Sequence, residues 1–209
     1  LLMLLCATVV CRAQAPADFT PPGPNVALHK PYTLEPAPNY GDCSTDPDRT
    51  LLTDGAYTQG HFWVQKTSVG WVHRHPVAIT IDLGRVEAIS GVSYSTAAGS
   101  ADVAWPSGIL LMVSDDNDRW TVLGDLIELA NKQGAPPEQP YRTHRFVTGE
   151  LQAHGRYVAL VVDQPPYMVV DEVEVYGGKP EWLTQPMTGK QVTMKPLEYC
   201  RDMTMQDSI

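Results

Sequence analysis

Positive charge is scarce in this chain. Fifteen Lys and Arg stand against 24 Asp and Glu, giving a formal net charge of −9. Nucleic acid and anionic membrane both select a basic footprint, so the acidic balance argues against either as the main partner. A cation or a neutral sugar stays compatible. Apolar runs are short as well. The one at residues 1–10 meets Arg12 too early for a membrane span, and no membrane insertion is expected. Cysteine is sparse: four in all, of which only Cys43 and Cys200 lie beyond residue 15. An oxidising compartment would permit them to pair, but Cys200 sits in the tail, so two separate thiols are an equal reading. Catalytic signatures are missing too. There is no Gly-x-Ser-x-Gly elbow, His-Glu-x-x-His, P-loop or Gly-x-Gly-x-x-Gly. A glycosidase pair needs one carboxyl in an apolar, pKa-raising site, and no feature of the sequence points to one. The run Asp115-Asp116-Asn117-Asp118 lacks the Gly and the terminal Glu of an EF-hand and reads as a hairpin turn. His73-Arg74-His75 would put both rings on one face of a strand, but with no Cys or carboxylate at matching spacing it reads as an edge or loop pair.

What is present is turn chemistry. Eighteen Pro and 16 Gly in 209 residues favour many short strands over long helices. The length allows one domain with a proper core plus flanking segments. Residues 1–15 read as an export signal that has lost its start, with small residues for cleavage after Ala13 or Ala15. Cys11 follows Val9-Val10, a poor match to a lipobox. The product is therefore expected to be exported (periplasmic, cell-surface or extracellular), with a mature end near Gln14 or Pro16. Residues 16–24 form a Pro-rich linker, residues 25–178 the domain, and residues 179–209 a linker or the start of a further region.

Strand signals recur through the domain. Residues 77–83 alternate cleanly and stop at Gly84, and 89–94 follow at once as a neighbouring strand. Residues 108–114 are apolar on both faces, which fits a central strand covered on both sides. The acidic turn leads into 120–123. Residues 125–133 carry one or two helical turns, and 141–148, 156–162 and 169–176 complete the set. With no alternation of strand and helix, the pattern predicts an all-β antiparallel sandwich.

Two distant stretches stand out. Leu51-Leu52-Thr53-Asp54-Gly55-Ala56-Tyr57-Thr58 reads as a tight loop, with Gly55 supplying positive φ. Asp171-Glu172-Val173-Glu174-Val175-Tyr176-Gly177 reads as a strand of strict alternation, with Val173 and Val175 on one face and Glu172 and Glu174 on the other. Brought together, they would offer oxygens to a hard cation such as calcium, though an Asp-Gly pair is first of all a turn.

In order along the chain, Asn25-Val26-Ala27, Leu52-Thr53-Asp54-Gly55, Ile79-Thr80-Ile81-Asp82-Leu83-Gly84, Val113-Ser114-Asp115-Asp116, Gly155-Arg156-Tyr157-Val158 and Glu172-Val173-Glu174-Val175-Tyr176-Gly177 form a series. This series resembles the discoidin, or coagulation factor 5/8 C-type, domain of the galactose-binding-like superfamily. The version with Phe62-Trp63-Val64-Gln65 and Val69-Gly70-Trp71 looks like domains of exported bacterial proteins. The resemblance implies a jelly-roll sandwich of about eight strands with its two ends close together, and a structural calcium ion. Carried over residue by residue, it implies Asp54 and Glu172 as side-chain ligands, carbonyls from Leu51, Ala56 and Asp171, and the hydroxyl of Thr58.

It also implies ligand binding through loops at one end of the sandwich. Sugars stack apolar faces on rings and need polar side chains for their hydroxyls. Trp105, Trp71, His73, Arg74 and His61 are the candidates, with Trp105 expected to be the exposed ring and Trp63 a core residue. The paired basic residues of galactose- and fucose-binding members have no counterpart here. The implied function is a non-catalytic carbohydrate-binding accessory module whose partner is a glycan or polysaccharide. Two alternatives stand beside it: a structural or protein-binding domain that positions a downstream enzyme region, and an enzyme in its own right.

Overall fold

The structure, a computed structural model, describes residues 20–130, 136 and 139–206. The expected export signal and most of the Pro-rich lead-in lie outside the described residues. The strands are β1 (Tyr32–Glu35), β2 (Val69–Val72), β3 (Val77–Ala98), β4 (Gly108–Ser114), β5 (Trp120–Asp125), β6 (Arg142–Thr148), β7 (Ala153–Asp163), β8 (Tyr167–Val170), β9 (Glu172–Gly177) and β10 (Lys190–Val192). Two helices, α1 (Leu126–Leu129) and α2 (Pro196–Gln206), join them. Every pairing between these strands is antiparallel. The all-β sandwich expected from the periodicity is what the chain forms.

Strand β3 organises both layers. Its first half pairs with β1 and β7, and the layer continues through β4 and β5. Its second half pairs with β6 and β9 in the opposite layer. The register breaks between Asp82 and Glu87, where Gly84 takes φ +87° at an exposed corner. The two strands expected at 77–83 and 89–94 are therefore one bent strand, and its halves face each other across the core instead of pairing as neighbours. An Asp82–Arg156 bidentate pair, with both contacts at 2.7 Å, braces the bend. The small sheet of β2 and β8 lies beside the end of β3, fastened by Thr96 Oγ1 donating to the Val169 carbonyl at 2.5 Å.

The core follows from the alternation. Ile79, Ile81, Ile109, Leu111, Val158, Leu160, Val173 and Val175 are all fully buried between the layers. The two ends of the domain meet as expected: Asn25 bridges Tyr176, Val26 N donates to Val175 O at 2.8 Å, and Gly177 N donates to Pro24 O at 2.8 Å. Of the helical stretch expected at 125–133, Leu126–Leu129 form the turn α1, its amino end capped by the Asp125 carboxylate accepting from Ile127 N, and 131–133 lie outside the described residues.

The described part of the tail packs against the sandwich. After Gly178 the Trp182 ring packs so close that a Cβ on Gly178 would meet it at 2.3 Å. Strand β10 then extends the first layer by pairing with β5. Helix α2 lies over the outer face of that layer, setting Tyr199 with Met112, Trp120 and Ala159, and Leu197 with Ala78 and Val161. This explains why 108–114 are apolar on both faces: Ile109, Leu111 and Val113 face the sandwich core, and Met112 faces the tail. Cys200 on α2 and Cys43 in the body are not joined by a disulfide.

Truncating Leu197 to Ala should lower unfolding free energy by about 2 kcal/mol, the low end for a buried leucine. Urea melts would show a lower midpoint at unchanged slope. A wild-type midpoint would mean the tail contributes nothing to the fold.

Candidate functional site

The loop at 44–58 is built from its own polar side chains. Asp46, 2% exposed, accepts from Thr50 N at 3.1 Å and from Leu51 N at 3.4 Å, and it receives the Tyr32 hydroxyl proton. That hydroxyl in turn accepts from Leu52 N at 3.0 Å. Burial and this carboxylate raise the tyrosine pKa, so it stays a donor. A 3-10 turn at Leu51–Thr53 follows, and Thr53 Oγ1 donates to the Lys30 carbonyl. The chain then reverses at Gly55, whose φ of +75° matches the expected turn.

This reversal brings the two distant stretches together. Gly55 N donates to Glu172 Oε1 at 3.2 Å, and Asp54, which holds Ala56 N at 2.8 Å, lies close enough for its charge to act on the Glu172 carboxyl. Glu172 is fully buried, and its Oε2 has no hydrogen-bond partner. Burial first, then the Asp54 and Glu174 carboxylates, push its pKa up to about 10. Burial also raises that of Asp54. Such a pair suits a hard cation, because two carboxylates in low dielectric repel until a positive charge sits between them. Among the described residues no group of three or more His, Cys, Asp or Glu is placed to hold a metal. Oxygens beyond Asp54 and Glu172 would therefore come from carbonyls or hydroxyls, which calcium accepts. Leu51 and Ala56 lie on the same loop. Thr58 is engaged elsewhere: its N–H donates to Asp171 Oδ2 at 2.6 Å, and its hydroxyl meets Thr67 Oγ1 at 2.9 Å. Asp171 thus meets the loop through its side chain. Its pKa is raised to about 6, chiefly by burial.

A second cluster closes one end of the sandwich. Strand β3 ends at Ala98 opposite Arg142, and β2 ends at Val72 opposite Tyr167, so several loops gather there. Phe62, Ala97, Ala98, Val103, Val169 and Cys43 form a buried plug, with Tyr40, Trp63, Trp105, Tyr141 and Tyr167 half-buried around it. His61 stacks on Tyr141 with ring centroids 4.1 Å apart, and Trp63 meets the same tyrosine edge-on at 5.1 Å. Tyr141 fixes this trio by donating its hydroxyl to Gly60 O at 2.6 Å and accepting from Phe62 N at 3.2 Å.

The sequence-predicted ligand residues divide. His61 is exposed and belongs to the trio. His73 and Arg74 are exposed at the same end, His73 beside Tyr167 at 6.2 Å and Arg74 donating to the Ala37 carbonyl at 3.1 Å. Trp105 is half-buried, its ring edge-on to His144 and Phe146. Trp71 cannot meet a ligand. It is fully buried, and its indole N–H donates to Pro36 O at 2.8 Å, because β2 turns that position inward. Trp63, read from sequence as core, is half-buried with its ring in the trio. The sequence reading missed Tyr141, Tyr40 and Tyr167. Each is an aromatic in a turn-rich connection or at the first position of a strand, a signal that was available.

Together the fold and these loops define a class: an antiparallel β-sandwich presenting a ring-lined surface at one end and a carboxylate-bearing loop against its last strand. The chain belongs to the F5/8 type C domain family, whose model matches residues 42–173. No curated protein gives a significant match. Among solved structures, the chain is similar to the lectin domain of lectinolysin, crystallised with Lewis B antigen, at 17% identity and a TM-score of 0.48 over 75% of this chain and 98% of that one. It is also similar to the Streptococcus pneumoniae fucose-binding module SpX-3, at 18% identity and a TM-score of 0.46 over 75% and 99%. A third is the chitosan-binding module 1 from a chitosanase/glucanase of Paenibacillus sp. IK-5, at 18% identity and a TM-score of 0.43 over 74% and 99%.

The raised carboxyl pKa values set a pH dependence in chelator. The folded protein keeps the Glu172 proton, which the unfolded chain releases above its ordinary value near 4.5. Stability is therefore fullest below that pH and falls as pH rises towards about 10, with Asp54 and Asp171 acting in the same direction. Melting temperature in chelator should decline from pH 5 to 9, and Glu172→Gln should flatten that slope. A melting temperature that rises over this range would contradict the assignment.

Proposed function

We propose that this chain is a non-catalytic carbohydrate-binding module of an exported protein, carrying a structural calcium ion at Asp54 and Glu172. The observation that supports it best is the His61, Trp63 and Tyr141 trio: three rings at an exposed end, held from beneath by a packed apolar plug. Rings that are partly wet and rigidly placed offer a face to the C–H side of a pyranose at small entropic cost. His73, Arg74 and Arg142 at the same end supply donors for hydroxyls. Family membership agrees with this reading. The ion's part is structural. Bound between Asp54 and Glu172, it would neutralise the buried pair and fix the loop that leads to the rings.

Binding to an array of neutral and acidic polysaccharides tests the first half. Trp63→Ala should weaken any binding by up to about tenfold, the value of one well-placed ring contact. Wild-type protein that binds nothing on the array would favour the purely structural role. Calorimetric melts test the second half. Calcium at a hundred times its dissociation constant should stabilise the fold by about 2.7 kcal/mol. Chelation should reverse this, and Asp54→Ala should abolish the response. A melting temperature indifferent to chelator would sink the calcium site.

A further inference from the structure

The carboxylate loop and the ring platform are two parts of one segment. Residues 54–68 leave Glu172 at Gly55, pass Asp171 at Thr58, and reach Tyr141 at Gly60 and Phe62. Between these ends the segment has no regular secondary structure except a 3-10 turn at Phe62–Val64. Such a loop keeps its shape only through its fastenings, since ordering each freely rotating residue costs conformational entropy. The fastening in the middle is Asp171. It is fully buried between β8 and β9, and its own N–H is tied to the Ser95 carbonyl of β3 at 3.3 Å. From that rigid position Oδ2 accepts the Thr58 N–H at 2.6 Å, and the Thr58 hydroxyl closes on Thr67 at 2.9 Å, clasping the loop across its base. The platform stands on the residues this clasp encloses, Gly60 to Trp63.

We propose that Asp171 is the positioning residue of the ring platform: through Thr58 it sets the register in which His61 and Trp63 meet Tyr141. This rests on the carbohydrate-binding reading above and names a residue that governs the surface without touching the ligand. The Ser95 side chain and the Arg145 charge also act on the Asp171 carboxyl. Arg145 lies 3.4 Å from Glu174 and over the Tyr57 ring at 4.2 Å, which pins the residue next to Thr58, while the Thr58 N–H itself goes to Asp171. Oδ1 of Asp171 has no hydrogen-bond partner. The neutral isostere asparagine therefore keeps a carbonyl acceptor for Thr58 N and adds an amide, whereas alanine removes the acceptor altogether.

The experiment compares wild type, Asp171→Asn, Asp171→Ala and Thr67→Ala. Isothermal titration uses whichever array polysaccharide the wild type binds, at a temperature where all four proteins are folded by circular dichroism. Asp171→Ala should lose about tenfold in association constant, the cost of one buried N–H left without its acceptor. Asp171→Asn should stay within about threefold of wild type, and Thr67→Ala, at an exposed position, should lose a few-fold without unfolding. A merely structural role would lower the melting temperatures and leave the association constants of the folded proteins alone, and that result overturns the proposal. So would equal losses in Asp171→Asn and Asp171→Ala. Should Asp171→Ala fail to fold, Thr67→Ala decides alone: wild-type affinity there overturns the proposal, and a loss supports it. A wild type that binds no polysaccharide refutes the carbohydrate reading itself, and with it the surface that Asp171 is held to position.

Discussion

Two adjacent carboxyl side chains at the junction of β8 and β9 hold the irregular part of this molecule to its regular part. Successive residues of extended chain point to opposite sides, so Asp171 and Glu172 reach different stretches of the long loop. Asp171 takes the Thr58 N–H and Glu172 takes the Gly55 N–H. Backbone N–H groups buried without partners cost about as much as a lost hydrogen bond, and this loop has few strand neighbours to supply them. The β-sheet ladder could form without these carboxyls. The loop takes two of its fastenings to the sheet from them.

The placement is costly in electrostatic terms. Both carboxyls are completely buried, with one oxygen of each unpartnered and their pKa values pushed upward. Apolar residues at these positions would pack well and cost less to bury, as the valines at 169, 170, 173 and 175 demonstrate. A protein that keeps acids there needs their oxygens for something. Holding the loop explains one oxygen of each. The remaining oxygen of Glu172, beside Asp54, is the one a cation would use.

The sequence made the strands legible because burial and alternation are local: a residue pointing inward is apolar whichever strand lies opposite. Ile79 and Ile81, or Val173 and Val175, could be placed without knowing the topology. The bend in β3 was not legible, because Gly84 ends a strand as plausibly as it turns one. The pairing of Asp54 with Glu172 came from family resemblance and not from spacing, since 118 positions separate them and no local rule joins them. Trp71 was misread for a related reason. Its flanking residues, Gly70 and the polar run from His73, look like loop, while the direction of the ring depends on β8 beside it. Tyr141 was passed over because its weight lies in contacts to residues about 80 positions away, Gly60 and Phe62.

The tail adds a constraint of a different kind. In a two-layer sandwich the outer face of each sheet normally meets water and reads as polar. Here β4 is apolar on both sides, and α2 with β10 covers the surplus. Met112, Ala159 and Val161 point away from the sandwich core and are still almost fully buried. Such residues on a solvent-facing sheet would form an apolar patch of the sort that drives association, so the sequence of β4 and β7 makes sense only with its cover in place. The domain in this protein therefore extends past the strand that closes the sandwich. The cover lies over β4, β5 and β7 through Met112, Trp120, Ala159 and Val161. The burial that stabilises the domain is therefore extended to the outer face of one layer.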